Sequence, residues 1–209
     1  RVRGRLLSFG LEEPPLGEGA FLRGGELWLE TEDISEAIIP ASDIALRGQH
    51  NLLNGLAACA IALGLELPQT AMADALRRFA GLPHRLELVR TLAEVHWVND
   101  SIATTPERAE AGLRSFQEPV VLLAGGRDKG LDWQPLAETA LTNCRHVIGF
   151  GECGPTVVKA IHAVRGAGSN PGLSLVRGLE QAVVQAAELA EAGDVVLLSP
   201  GGTSFDDYI

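Results

Sequence analysis

The sequence is poor in cysteine and has no long apolar run. Its three cysteines, Cys59, Cys144 and Cys153, match neither a zinc motif nor a disulfide framework. This pattern favours a reducing compartment, so we expect a cytoplasmic protein. No stretch approaches the roughly 20 consecutive apolar residues of a membrane span, and we expect no membrane partner.

Positive charge is also scarce. The 209 residues include 17 Lys and Arg against 27 Asp and Glu, a formal net charge of −10. A field of this sign repels phosphate, which argues against a non-specific binder of nucleic acid but leaves room for a small local anion site. Hydrophobic residues make up 46% of the chain, enough for one large or two small domains.

Several familiar catalytic motifs are missing as well. No G-x-x-x-x-G-K-[ST] phosphate-binding loop occurs anywhere in the chain. The sequence after Ser199 does not match a G-x-S-x-G nucleophile. The five histidines show no H-E-x-x-H or paired spacing, so we predict no metal site within this chain.

Both ends of the chain suggest a piece of a longer protein. It starts at Arg1 without a signal-peptide pattern and stops soon after a glycine-rich loop. Short predicted strands, among them residues 3–9 and 26–30, and two predicted helices, the first opening at Gly48, make residues 1–82 the expected tail of a domain. Glycine and proline break the second helix near Pro83, and we expect a second domain over residues 83–209.

The second domain alternates buried strands with amphipathic helices. This alternation predicts an α/β fold with a mainly parallel, doubly wound, Rossmann-like sheet that is covered on both faces. The predicted strands are 95–98, 120–124, 147–150, 174–176 and 195–198. The predicted helices are 106–116, 133–142, 154–164 and 178–191.

Polar loops follow three of these strands, at residues 100–104, 127–129 and 199–204. The carboxyl ends of parallel strands lie along one edge, so we expect the loops to converge. A carboxylate (Asp100), a lysine (Lys129), hydroxyls and glycine-freed backbone amides would suit a nucleotide or a dicarboxylate. The alternatives are a capped strand-to-helix turn, with Thr104 or Thr105 as its cap, and an ordinary surface lysine.

Two further positions are candidates for nucleotide recognition. Asn51 and Asn54 share one face of a first helical turn, where amides can recognise the edge of a heterocycle. The alternative is simple capping of that helix. Arg85 could bind a phosphate or stack on a base. The alternative is an ion pair with Glu87 or with another surface carboxylate.

Five motifs in order resemble the ATP-dependent Mur ligase family of peptidoglycan synthesis, above all the branch that adds D-glutamate to UDP-N-acetylmuramoyl-L-alanine. The resemblance covers nearly all of residues 46–209. The motifs are Gly48-x-His50-Asn51-x-x-Asn54, Gly81-Leu82-Pro83-His84-Arg85, Asn99-Asp100-Ser101-x-Ala103-Thr104, Gly125-Gly126-x-Asp128-Lys129-Gly130 and Ser199-Pro200-x-x-x-Ser204.

The resemblance implies a chemistry and a set of roles. ATP, with Mg²⁺, phosphorylates the substrate carboxylate, and the glutamate amine attacks the acyl phosphate. The reaction serves cell-wall biogenesis and thereby cell shape and cell division. The residues implied to bind ATP are Asn51, Asn54 (adenine), Arg85 and Asp100 (ribose). Those implied to bind glutamate are Thr104, Lys129 (side-chain carboxylate) and Ser204 (α-carboxylate).

One departure leaves the substrate open. The family usually has lysine where this chain has Ile102, and an L-glutamate-adding branch also exists. A folylpolyglutamate-type ligase fits the Asp100 loop poorly. A non-catalytic nucleotide-binding domain is the remaining alternative. The phosphate-binding loop, the magnesium ligands and a carbamylated lysine are expected upstream of Arg1, so we expect the isolated chain not to turn over.

Overall fold

A computed structural model of the chain describes residues 5–13 and 17–203. The chain divides into two compact units, of which the first ends at Gly81 and the second begins at Leu82. Within the described residues, no helix is both long and apolar enough to cross a membrane.

The first unit packs two helices against a small sheet. Its sheet has the order β1-β2-β3-β4, with β1 parallel to β2 and the other neighbours antiparallel. The strands are β1 (Ser8–Gly10), β2 (Gly19–Arg23), β3 (Glu26–Glu30) and β4 (Ser35–Pro40), and the helices are α1 (Gln49–Gly64) and α2 (Gln69–Arg78).

Alternation along the strands builds the core of this unit. Leu27 and Leu29 of β3 are fully buried, as is Leu56 of α1, because every second strand residue faces the helix layer. The sequence predicted a strand over residues 3–9, and this is wrong. Only Ser8–Gly10 form a strand, since only these residues pair with β2, and residues 1–4 lie outside the described residues.

The second unit contains a six-stranded sheet with the order β5-β6-β10-β7-β8-β9. Every neighbouring pair is parallel except the edge pair β5–β6. The strands are β5 (Glu87–Leu92), β6 (Val95–Asn99), β7 (Val120–Gly125), β8 (Cys144–Phe150), β9 (Gly172–Leu175) and β10 (Val195–Gly201). The helices are α3 (Pro106–Leu113), α4 (Gln134–Asn143), α5 (Gly154–Arg165) and α6 (Leu179–Leu189).

Both faces of this sheet are covered, as the sequence predicted. Val120, Leu122 and Ala124 of β7 pack in one cluster with residues of α3, α4 and α5. Val121 and Leu123 belong to a second cluster with α6. The mainly parallel, doubly wound α/β fold is therefore confirmed.

One local prediction fails at helix α3, and a second is met in position only. The helix ends at Leu113 instead of residue 116, because the chain turns there and buries Phe116 in the core. Thr105 is the N-cap residue, but its side chain makes no capping hydrogen bond. Pro106 lies in the first turn, and Glu107 lies near the positive end of the helix dipole.

Candidate functional site

The three polar loops of the second unit meet at one edge of the sheet. They follow β6, β10 and β7, which are adjacent and parallel, so their carboxyl ends lie side by side. The amide of Gly201 donates to the Ala103 carbonyl at 2.8 Å, and the amide of Arg127 donates to the Thr203 carbonyl at 2.7 Å. The predicted convergence of the loops is therefore present.

Glycine allows the loops to approach this closely. Gly201 has a φ of +69°, and a Cβ there would lie 2.7 Å from the Trp133 ring. Gly126 has a φ of +103°, and its Cβ would lie 2.8 Å from the Thr203 carbonyl oxygen. The sequence predicted that the glycine-rich loop offers its amides to an anion. For Gly201 this is wrong, because its amide already bonds to Ala103.

Lys129 connects the β7 loop to the β6 loop. Its Nζ donates to the backbone carbonyl of Thr104 at 3.1 Å, and the lysine side chain is exposed. Thr104 is half-buried beside it. A lysine that donates to a backbone carbonyl can exchange that bond for one to a carboxylate, which is the stronger partner. Ser204, the third predicted glutamate residue, lies outside the described residues.

Asp100 is buried, with a residue exposure of 4%. Its Oδ2 accepts from the Ser199 hydroxyl at 2.8 Å, and its Oδ1 accepts from the Leu86 amide at 3.2 Å. Burial raises the pKa of this carboxyl to about 6, against the opposing effect of these hydrogen bonds and of the Arg85 charge. Ribose binding by Asp100 remains a prediction, and each oxygen of its carboxylate can accept a further hydrogen bond beside the present one.

Arg85 lies in a short segment, residues 84–86, that is held against the β6 loop. His84 donates its backbone amide to Glu87 at 2.8 Å and accepts from the Ile102 amide at 3.2 Å. Its Nδ1 lies 3.0 Å from the Asn99 side-chain amide nitrogen. Arg85 makes no ion pair or side-chain hydrogen bond within residues 5–13 and 17–203, so the alternative pairing with Glu87 is wrong.

Ile102 stands among these polar groups with 46% of its surface exposed. An exposed apolar side chain at this place adds no charge to the loops. Because nearly half of Ile102 is exposed, the local packing does not require an apolar side chain at this position.

Asn51 lies in the first turn of α1 and Asn54 in the second, in the first unit, on one face as predicted. The Asn51 side chain donates to the Arg47 carbonyl at 2.8 Å, and Asn54 donates to the Asn51 side chain at 3.4 Å. Neither caps the helix, since Gly48 is the N-cap residue and no side-chain cap is formed. The capping alternative is therefore wrong. Both residues line a cavity of about 320 Å³ with mostly apolar walls.

Sequence reasoning missed the partners of Asp100. Ser199 directly follows the apolar run 195–198 within β10, and a serine at such a place was the one available signal. Within residues 5–13 and 17–203, no group of three or more His, Cys, Asp or Glu side chains is placed to hold a metal ion.

A doubly wound sheet with polar loops at the carboxyl ends of its central strands defines a ligand-binding α/β domain. Residues 84–202 match the family profile described as Mur ligase, glutamate ligase domain. This is more than half of the chain, and the chain belongs to the Mur ligase family.

Similar proteins match along most of the chain. The UDP-N-acetylmuramoylalanine–D-glutamate ligase of Salinibacter ruber is 40% identical over 91% of this chain and 40% of its own length. The ligase of the same name from Clostridium tetani is 36% identical over 99% of this chain and 44% of its own length. The chain thus spans less than half the length of these curated relatives.

The fold is also found among solved structures. The Acinetobacter baumannii UDP-N-acetylmuramoylalanyl-D-glutamyl-2,6-diaminopimelate–D-alanyl-D-alanyl ligase matches with a TM-score of 0.65 and 19% identity, over 93% of this chain and 43% of that one. At this identity the likeness concerns the fold alone.

Proposed function

We propose that the protein containing this chain is an ATP-dependent ligase that adds D-glutamate to UDP-N-acetylmuramoyl-L-alanine through an acyl phosphate. One observation carries the proposal: in a chain that matches the glutamate ligase domain, the β6 and β7 loops are joined by Lys129, whose Nζ donates to a backbone carbonyl and can exchange that bond for one to a carboxylate. The names of the relatives support the same activity. Their D-glutamate specificity favours this substrate over the L-glutamate alternative.

The two units have different parts in this proposal. The first unit is the end of a central ATP-binding domain, in which Asn51 and Asn54 contact the adenine. The second unit is the C-terminal glutamate-binding domain. Arg85 and Asp100 contribute to nucleotide binding from the start of that unit.

Glutamate is held by charge and by position. Lys129 exchanges the Thr104 carbonyl for the side-chain carboxylate of glutamate, the Thr104 hydroxyl donates to the same carboxylate, and Ser204 holds the α-carboxylate. The amine then lies in place to attack the acyl phosphate. Such residues accelerate the reaction through proximity and electrostatic stabilisation more than through acid–base exchange.

Phosphoryl transfer from ATP generally uses Mg²⁺, which neutralises charge on the phosphates. The described residues do not fit a magnesium site, because no cluster of carboxylates is placed to bind one. We therefore derive no step through the metal from this chain. The magnesium ligands and the phosphate-binding loop belong to other parts of the proposed enzyme, and we expect the isolated chain not to turn over. Cytoplasmic ATP and UDP-linked precursor supply the reaction.

The decisive experiment measures phosphate release by the complete protein with ATP, UDP-N-acetylmuramoyl-L-alanine and either D- or L-glutamate. We expect release with D-glutamate that depends on all three substrates. If L-glutamate and not D-glutamate supported phosphate release, the protein would be assigned to the L-glutamate-adding branch instead. ATP binding without turnover under any combination would favour a non-catalytic nucleotide-binding protein.

A further inference from the structure

A buried serine holds the Asp100 carboxyl from the neighbouring strand. Ser199 of β10 is fully buried, and its hydroxyl donates to Asp100 Oδ2 at 2.8 Å. The other oxygen of the same carboxyl accepts from the Leu86 amide at 3.2 Å. Asp100 therefore ties β10 to the 84–86 segment through its two oxygens.

Helix α3 closes the third side of this arrangement. A Cβ on Gly112 would lie 2.6 Å from Asp100 Oδ2 and 3.5 Å from the Ser199 hydroxyl oxygen. No side chain fits there unless the carboxyl moves. The glycine therefore leaves space for one orientation of Asp100, in which both of its hydrogen bonds form.

The 84–86 segment needs such support. His84 and Leu86, on either side of Arg85, have φ values of 66° and 47°. Residues with a side chain adopt this left-handed region at an energetic cost and stay there only where surrounding contacts hold them. The Asp100 bond to the Leu86 amide supplies one such contact, and the bonds of His84 to Glu87 and Ile102 supply the others.

We propose that Ser199 is a positioning residue for nucleotide binding: its hydroxyl orients Asp100, which fixes the Leu86 amide and thereby the backbone that carries Arg85. The inference rests on the proposed function, since it takes Arg85 as a nucleotide contact. Gly112 is part of the same arrangement, because the absence of a side chain there leaves room for the Asp100 carboxyl. Arg85 is the charged group that interacts electrostatically with Asp100. The other two elements packed against the carboxyl are uncharged there: β10 contributes the Ser199 hydroxyl and α3 contributes Gly112.

The test replaces Ser199 by alanine in the complete protein. Loss of a hydrogen bond to a charged group is worth about tenfold in an equilibrium constant, so we expect the KM for ATP to rise about tenfold. The KM for glutamate should change less than about twofold, because Lys129 and Thr104 are not in this network. Ser174→Ala is the matched control. Ser174 lies in β9 of the same sheet, and its hydroxyl is 2.8 Å from Nε2 of His146 in β8. We expect both KM values to be unchanged in this variant.

A second readout does not depend on activity. The Ser199 hydroxyl stabilises the ionised carboxyl, so Ser199→Ala should raise the pKa of Asp100 further, as followed by carbon NMR of the labelled carboxyl. The pKa should not change in Ser174→Ala. An unchanged pKa in Ser199→Ala, or equal rises in the two KM values, would overturn the inference.

Gly112→Ala keeps the inference testable if Ser199→Ala does not fold. Alanine ordinarily stabilises a helix relative to glycine. Weaker ATP binding in Gly112→Ala would therefore come from crowding of the Asp100 carboxyl. We expect the same selective rise in the KM for ATP, and an unchanged value would overturn the inference. A wild-type protein without ATP- and glutamate-dependent turnover would refute the proposed function instead, and the NMR titration would still decide whether Ser199 holds Asp100.

Discussion

Replacing Asp100 by asparagine should stabilise the second unit at neutral and alkaline pH. The amide keeps the shape of the carboxyl, can still accept from the Leu86 amide and can donate to Ser199, but it carries no charge to desolvate. The pKa of the carboxyl is about 6 in the folded chain against 3.8 ordinarily. The charged form is therefore the one that burial disfavours.

The magnitude and its pH dependence follow from this shift. The folded state binds the proton more tightly than the unfolded state, so the contribution of Asp100 to stability is most favourable at low pH and falls as the pH rises through the interval from about 4 to about 6. The pKa of Asp100 is about 2 higher in the folded state, and this difference corresponds to a loss of about 3 kcal/mol in the free energy of unfolding above pH 7. At pH 5 the corresponding difference is roughly half as large.

Urea unfolding of the wild type and of Asp100→Asn at several pH values measures this difference. We expect the variant to gain up to about 3 kcal/mol at pH 8 and clearly less at pH 5. Asp74→Asn, the same substitution at an exposed position of α2, should change stability by less than about 0.5 kcal/mol. Equal stability of wild type and Asp100→Asn at pH 8, with parallel pH curves, would show that the carboxyl is not desolvated as the structure describes.

Three further substitutions probe the loops at the sheet edge. Lys129→Ala in the complete protein should raise the KM for glutamate at least about tenfold with little effect on that for ATP, because a charge-assisted bond to the carboxylate is lost; initial rates would expose an unchanged glutamate KM and so reject the role. Ile102→Lys should lower the KM for an anionic substrate severalfold and leave the melting temperature nearly unchanged, since the side chain is 46% exposed, and a higher KM would contradict this reasoning. Gly201→Ala should destabilise by about 2–3 kcal/mol in urea unfolding, because it combines a positive φ with the Trp133 ring. Gly193→Ala, with a φ of +90° and open space around it, should lose less, and equal losses would remove the steric part of the argument.

The sequence predicted features that depend on local pattern. Val120 to Ala124 form a continuous apolar run, which identifies a strand covered on both faces, and glycines after it mark a tight loop. The helices and the parallel strands of the second unit were therefore predictable, apart from their ends, whereas the antiparallel edge strand β5 was not among the predicted strands. The convergence of the loops followed from a general rule for parallel sheets, without knowledge of which strands are neighbours.

What escaped prediction depends on contacts between distant residues. Asp100 reads as an exposed loop carboxylate, and only the position of Ser199, 99 residues away in sequence, shows that it is buried and paired. The same holds for Gly112, whose importance comes from the carboxyl next to it. Asn51 looked like a helix cap, but its side chain turns back to Arg47 because glycine already occupies the cap position.

The place of β10 has a consequence for how the second unit acquires its structure. Over the described residues this strand comes last in the sequence of the unit, yet it lies between β6 and β7, which pair with it and not with each other. During synthesis, the facing edges of β6 and β7 stay unpaired until residues 195–201 have left the ribosome. Such late, long-range pairing is slow and leaves apolar strands exposed to aggregation in the meantime. The step that inserts β10 also brings Ser199 to Asp100, so the sheet and the proposed nucleotide contact are completed together.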